Sequence, residues 1–309
     1  METRIKLSEE RKSPTLSRIV AGVMLWGEWG KKLNPQGINR LIQACIDLGI
    51  TSFDHADIYG HYTTEADFGK ALALSPGLLK KMELITKCGI KLVTPNRPEH
   101  QIKSYDTSRK HIIQSVENSL KNLQTDTLDL LLIHRPDPLL DPMEVADTFA
   151  LLRSEGKVKY FGVSNFSPTQ LDVLDAYMVF EDEIVTNQVE ASLLHLNPFW
   201  DGTLDQCLTM GFSPMIWSPL GGGKLFETPS EDIQVQRIQE VSIDLMKKYE
   251  VSLDQLALAW LLQHPSQMIP VIGSASLERI RASWQALSVE MEREDWFKLW
   301  QASTGEEVP

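Results

Sequence analysis

Short apolar runs alternate along this chain with longer stretches whose apolar residues recur at helical spacing. The first kind reads as strands buried on both faces, the second as amphipathic helices. Strands are predicted over 17–27, 50–57, 82–89, 127–135, 158–165, 184–192, 213–223 and 268–274. Helices are predicted over 35–49, 64–74, 107–124, 141–157, 167–178, 202–211, 233–250, 252–265, 277–287 and 291–303. The punctuation agrees with this division. Gly49 and Gly211 close helices, Pro142 sits in a first helical turn, and Ser167 precedes a helix as its cap.

Strands that alternate with helices imply a parallel sheet, because parallel neighbours need a crossover. Eight βα units fit a closed (β/α)8 TIM barrel, which occupies roughly 250 residues. A doubly wound open sheet is the competitor, but no G-x-G-x-x-G follows the first strand. No Pro/Gly/Ser-rich linker divides residues 1–309, so one barrel domain is expected. The first 16 residues read as a short hairpin or arm outside the barrel, and the last two helices as C-terminal additions. Two longer loops, 90–106 and 197–202, are placed to cover a site.

Composition narrows the class. Hydrophobic residues make up 42% of the chain, enough for a sizeable core. The formal charge of −12, without any long Lys/Arg run, argues against nucleic acid or an acidic membrane as partner. Three cysteines without a CxxC pattern suit a reducing compartment. The N-terminus has no apolar signal core, and no run reaches the ~20 apolar residues of a membrane span. A cytoplasmic protein, monomeric by default, is expected.

Barrel enzymes keep their chemistry at the C-terminal strand ends. The polar residues there are Asp54, His55 and Asp57; Lys87; His134; Ser164 and Asn165; Gln188 and Glu190; Trp217 and Ser218; Gly273 and Ser274. Lys87 and His134 stand out because each ends a run of apolar residues. A buried ammonium must be paired. Three chemistries could use the set. A metal site would draw on His55, Asp57, His61 and His134, but no HxH, HExxH or CxxC spacing supports it. A Schiff base would use Lys87 as a nucleophilic amine. Proton transfer to a carbonyl oxygen would use Tyr59, its phenol pKa lowered from ~10 by Lys87, with Asp54 orienting Lys87 and His134 polarising the carbonyl.

At these residues the chain resembles the aldo-keto reductase family. The matching segments are "FDHADIYG", "ITKCG", "LDLLLIHRPD", "GVSNF", "NQVE", "WSPLGGGKL" and "PVIGSASLERI", in family order over residues 17–287. The glycine loop and "HRPDP" look closest to the bacterial YdhF-type oxidoreductases. The resemblance implies metal-free, NADPH-dependent reduction of aldehydes or ketones to alcohols. It implies a catalytic tetrad of Asp54, Tyr59, Lys87 and His134, with Tyr59 as proton donor. Ser164, Asn165 and Gln188 would hold the carboxamide, and Trp217 would stack on the nicotinamide. Ser218, Leu220, Gly222, Gly223 and Lys224 would line the pyrophosphate; Gly273, Ser274 and Arg279 would meet the adenosine phosphate.

One segment departs from the family pattern. Where relatives often carry Lys or Arg for the 2′-phosphate, this chain has Ala275 and Ser276, and Ala282 and Ser283 replace the usual adenine contact. NADPH remains the expected cofactor and a small carbonyl compound the expected substrate. Trp26, Trp29 and Trp200 are the candidate substrate-pocket residues. The alternative is a nicotinamide-binding sensor with little turnover. Taken without the resemblance, Asp54 could cap a turn, Tyr59 could close a loop, and the Ser, Asn and Gln strand ends could be rim polars.

Overall fold

The computed structural model describes residues 2–179 and 183–308. Eight parallel strands close on themselves: β1 (Val20–Gly22), β2 (Ser52–Asp54), β3 (Glu83–Cys88), β4 (Leu128–Ile133), β5 (Val158–Ser164), β6 (Ile184–Glu190), β7 (Met215–Trp217) and β8 (Ile269–Ile272). Each strand pairs with its neighbours in sequence, and β8 returns to β1. The helices are α1 (Pro35–Leu48), α2 (Thr64–Ala73), α3 (Arg109–Leu123), α4 (Pro142–Ser154), α5 (Pro168–Asp175), α6 (Thr203–Thr209), α7 (Ile233–Tyr249), α8 (Leu253–Leu262), α9 (Leu277–Gln285) and α10 (Arg293–Thr304). This is a (β/α)8 barrel. No helix among the described residues is long and apolar enough to cross a membrane.

Strand alternation sorts the core into two layers. Val20, Ile85, Leu130, Leu132, Val185, Met215, Ile269 and Val271 form one buried cluster in the barrel interior. Leu84, Leu131, Ile133, Phe161 and Val163 belong to another cluster, with helical residues such as Ile42, Ile112 and Phe149. The two-residue repeat fixes the site as well. Ile85 faces inward, so Lys87 does too, while Thr86 between them points outward to Glu65 of α2.

The N-terminal arm is a hairpin of Arg4–Lys6 paired antiparallel with Thr15–Ser17. Ile5, Leu7 and Leu16 join the barrel's interior cluster. The hairpin therefore seals the N-terminal end of the barrel and leaves the C-terminal end for chemistry. Arg11 anchors it, reaching Asp175 at 2.8 Å and the Ile184 carbonyl at 2.8 Å.

Three predicted strands are much shorter than the apolar pattern suggested. Within the barrel only Val20–Gly22 of 17–27, Ser52–Asp54 of 50–57 and Met215–Trp217 of 213–223 pair as strand, and Ser17 belongs to the N-terminal hairpin. Past a last backbone bond such as Val23 N–H to the Asp54 carbonyl at 3.1 Å, the residues that follow run beyond the rim and the chain turns. Gly30 permits one of these turns, since a Cβ there would lie 2.1 Å from the Leu25 carbonyl oxygen. The 90–106 loop contains a small antiparallel pair, Ile90–Lys91 with Ser104–Tyr105.

Candidate active site

The ends of β2, β3 and β4 bring four polar side chains together. Asp54 ends β2, and its register neighbour on β3 is Ile85, one inward position short of Lys87. Lys87 Nζ lies 2.6 Å from Asp54 Oδ2, and both side chains are almost wholly buried. The same ammonium donates to the His55 carbonyl at 2.8 Å and to Tyr59 Oη at 3.3 Å. Three acceptors thus satisfy the three donors of a buried cation. His134 follows β4, and its ring stands 6.2 Å from the Tyr59 ring at a steep angle.

The electrostatics assign protonation states. Burial alone would favour neutral Lys87, but Asp54 and Tyr59 outweigh it and hold its pKa above the ordinary range. Lys87 is therefore an ammonium, which excludes it as a nucleophilic amine at neutral pH. Tyr59 departs from the sequence-based expectation. Lys87 does pull its phenol down, but burial pushes it up by more, and the net shift is upward. Tyr59 accordingly stays a protonated phenol. His134 is driven well below the usual imidazole range by burial, then by Lys87, Arg135 and Lys103. It is a neutral ring whose buried Nδ1 has no partner.

A second cluster continues around the rim from β5 to β7. Ser164 Oγ donates to the Gln188 carbonyl at 2.8 Å, and Gln188 Nε2 donates to Asp54 Oδ1 at 2.9 Å. Asn165, in the left-handed region at φ 62°, donates to Ser164 Oγ and the His134 carbonyl. Its Oδ1 accepts the Trp217 indole N–H at 2.9 Å. The amide donors of Asn165 are thus spent, whereas Gln188 Oε1 receives no donor among the described residues. The rim is short of donors and has acceptor capacity, which suits the NH2 end of a carboxamide. Arg135 places its guanidinium 5.6 Å from the Trp217 ring.

The glycine turn after β7 also fits a phosphate-bearing ligand. Gly222 and Gly223 adopt φ 64° and 96°, and a Cβ built on either meets nothing within 4 Å. Their backbone is open to close approach. Ser218 (φ 49°) and Leu220 lead into the turn, and Lys224 is exposed at it. Past β8, Gly273 and Arg279 are exposed, while Ser274 Oγ accepts the Ser276 N–H at 3.1 Å just before α9. Neither Lys224 nor Arg279 is ion-paired among the described residues.

The three tryptophans separate. Trp29 lies 6.0 Å from the Tyr59 ring, at the site. Trp26 is core instead, 1% exposed, packed on Phe53 and Phe68 and bonded to the Ser274 carbonyl. Trp200 lies against Trp300 of α10 and makes no ring contact with Tyr59 or His134. His55 and Asp57 point away as well. The His55 ring is wholly buried edge-on to Phe68, without a partner at either nitrogen, and burial takes its pKa to about 3. Asp57 lines a cavity of about 110 Å³ with Glu65, Arg97, His111 and Ser115. Among the described residues no three His, Cys, Asp or Glu groups are arranged to hold a metal.

Sequence reasoning missed two contributions. The His55 carbonyl is a third acceptor for Lys87, which no side-chain pattern reveals. Arg135 and Lys103 set the charge around His134. Arg135 was readable as the cation directly after the histidine; Lys103 arrives from the 90–106 loop, whose path only the fold defines.

Comparison with known proteins adds independent findings. Residues 18–303 match the model of the Aldo/keto reductase family. The chain is 44% identical to the oxidoreductase YdhF of Escherichia coli, over 100% of both chains. It is 43% identical to the 6-dehydroglucose reductase of Agrobacterium fabrum, over 99% of both. A thermostable aldo-keto reductase crystallised with the inhibitor epalrestat superimposes with a TM-score of 0.79 at 24% identity, covering 97% of this chain and 100% of that one.

Proposed function

The chain belongs to the Aldo/keto reductase family and is an NAD(P)H-dependent oxidoreductase; from that premise we propose that it reduces aldehydes or ketones with NADPH, Tyr59 giving the proton. The observation that carries this reading is the Lys87 ammonium joined to both Asp54 and Tyr59 in a buried site. Reduced nicotinamide, when bound, supplies a hydride to the carbonyl carbon. Tyr59 Oη protonates the developing alkoxide, and the phenolate left behind is stabilised by Lys87. Asp54 holds Lys87 in place. His134, neutral across the working pH range, donates a hydrogen bond to the substrate oxygen.

In the same reading Ser164, Asn165 and Gln188 hold the carboxamide and Trp217 packs on the nicotinamide. Ser218, Leu220 and Gly222, Gly223 and Lys224 receive the pyrophosphate; Gly273, Ser274 and Arg279 meet the adenosine phosphate. Arg279 is then the residue that favours NADPH over NADH, in the absence of a cation at 275 or 276. The reading takes residues 1–309 as one cytoplasmic, monomeric barrel unit, whose mass sedimentation would report.

Arg135 and Lys103 bring positive charge to the His134 side of the site. That suits a hydroxylated or anionic carbonyl compound better than an apolar one. The relative named 6-dehydroglucose reductase makes a sugar aldehyde the first substrate to test. The decisive experiment follows NADPH oxidation by wild type and Tyr59→Phe, with NADPH binding measured alongside. Turnover should fall at least ~10²-fold in the variant while binding persists. Undiminished turnover would remove Tyr59 from the mechanism. Tight cofactor binding with negligible wild-type turnover would favour a sensor instead.

A further inference from the structure

Trp200 leaves a question, since it is a large apolar side chain 66% exposed and without a ring contact to Tyr59 or His134. It leans on Trp300 of α10 at 4.8 Å between ring centres. Beside it three indoles pack as a near-parallel triangular cluster, with Trp260 and Trp300 also only 6.4 Å apart. Trp300 stacks on Trp296 at 5.4 Å and 19°, and Trp296 on Trp260 of α8 at 4.9 Å and 11°. Trp260 and Trp296 are locked, each indole N–H donating to the other's carbonyl, at 3.1 and 3.0 Å. The donors of Trp260 and Trp296 are therefore spent, and those two offer no N–H to a ligand. Phe199 closes the side, 5.3 Å from Trp300.

A cleft of about 440 Å³ is lined by Trp200, Trp296, Trp300 and Phe199 together with Glu306 and Glu307. Its volume falls in the range of small-ligand sites, roughly 300–1,000 Å³. Neither carboxylate takes part in an ion pair among the described residues. Ring faces are electronegative, and they attract cations most when water is excluded. The cluster already shows this preference, because the Arg293 guanidinium lies 5.5 Å from the Phe297 ring on the same helix. An aromatic lining that also carries two unpaired carboxylates disfavours an anion and gives a neutral polyol few polar partners. It matches a positive group carrying apolar substituents.

We propose that this cleft binds a small organic cation, a quaternary or similarly alkylated ammonium, at a site separate from the carbonyl-reducing pocket. No residue lining it is a hydrogen-bond or ring partner of Asp54, Tyr59, Lys87 or His134. The proposal thus stands whether or not the reductase reading does.

The test is a titration of protein carrying ¹⁵N-tryptophan, followed through its indole N–H signals, with choline as the probe. The neutral isostere 3,3-dimethylbutan-1-ol is the control. Saturable shifts are expected at Trp200 and Trp300, with a Kd on the order of 1 mM or tighter. The Trp26 signal, bonded to the Ser274 carbonyl in the core, should stay still. The isostere should bind at least about tenfold more weakly. Trp200→Ala and the double variant Glu306→Gln/Glu307→Gln should each weaken choline by a comparable factor. Both changes lie at exposed positions, and an unchanged melting temperature establishes that the fold is intact. Absence of a saturable shift, equal binding of the isostere, or retention of full affinity in the folded variants would each overturn the proposal.

Discussion

At the scale of single residues, burial decides more than charge. Lys87 touches Tyr59 and lowers its pKa, yet desolvation wins and the phenol titrates above its ordinary value of 10.0. A proton donor must be protonated to act. Reduction should therefore hold level from about pH 6 to about pH 9 and decline only above ~10, as Tyr59 ionises. His134, well below 6.5, should add no acid limb near that value. A kcat/KM profile measures both, and a decline centred near pH 7 would contradict the assignment. Asp57 illustrates the same rule outside the site. Burial, then Glu65, pushes it up to about 8 from 3.8. Between those values the folded state holds a proton that the unfolded chain releases, so Asp57 costs stability progressively as pH rises. Asp57→Asn removes that cost. The variant's thermal midpoint should gain on wild type between pH 5 and pH 8, by about 2–4 °C per kcal/mol. A gap that does not widen with pH would place the proton elsewhere.

Elements meet where the sequence leaves room for them. Gly69 of α2 presses on the C-terminal end of α3, and a Cβ there would lie 1.9 Å from the Asn122 carbonyl oxygen. Gly69→Ala must push the helices apart, at a cost of about 1–3 kcal/mol. Denaturant unfolding should show a lower midpoint, although alanine is the better helix former. An unchanged midpoint would mean that the α2–α3 contact yields freely. Glu65, one turn earlier, ties the same helix to β3 and to α3, accepting from Thr86 at 2.6 Å and from Ser119 at 3.0 Å. That link sits one residue from Lys87, so the packing of α2 bears on the register of the site. The periodic pattern identified α2 and α3 as helices but could not show their separation, which depends on a backbone contact between residues distant in sequence.

At the scale of the molecule, the barrel has one sealed end and one reactive end. The N-terminal hairpin supplies the seal, with Leu16 wholly buried among the interior residues of the strands. Leu16→Ala should therefore behave as a core truncation, costing about 2–5 kcal/mol, although it lies outside the eight-strand barrel. Thermal or denaturant unfolding checks this, and a loss under about 1 kcal/mol would mean that the hairpin is a surface arm. Negative net charge, −12 overall, coexists with local positive charge from Arg135 and Lys103 beside His134. The global balance thus says little about the charge at the site.

The sequence by itself determined the alternation of strands and helices, and with it the parallel barrel. It also put Asp54, Lys87 and His134 at strand ends, because a two-residue repeat and a run length are local properties of the chain. Tertiary structure alone decided the protonation of Tyr59, since desolvation comes from the whole surroundings. It separated Trp29, beside Tyr59, from Trp26 in the core and Trp200 against Trp300, although an aromatic residue in a loop reads alike in all three cases. It turned His55 and Asp57 away from the reactive end. It made the His55 carbonyl a partner of Lys87, because backbone atoms have no residue type to read and acquire a role only where the fold aims them.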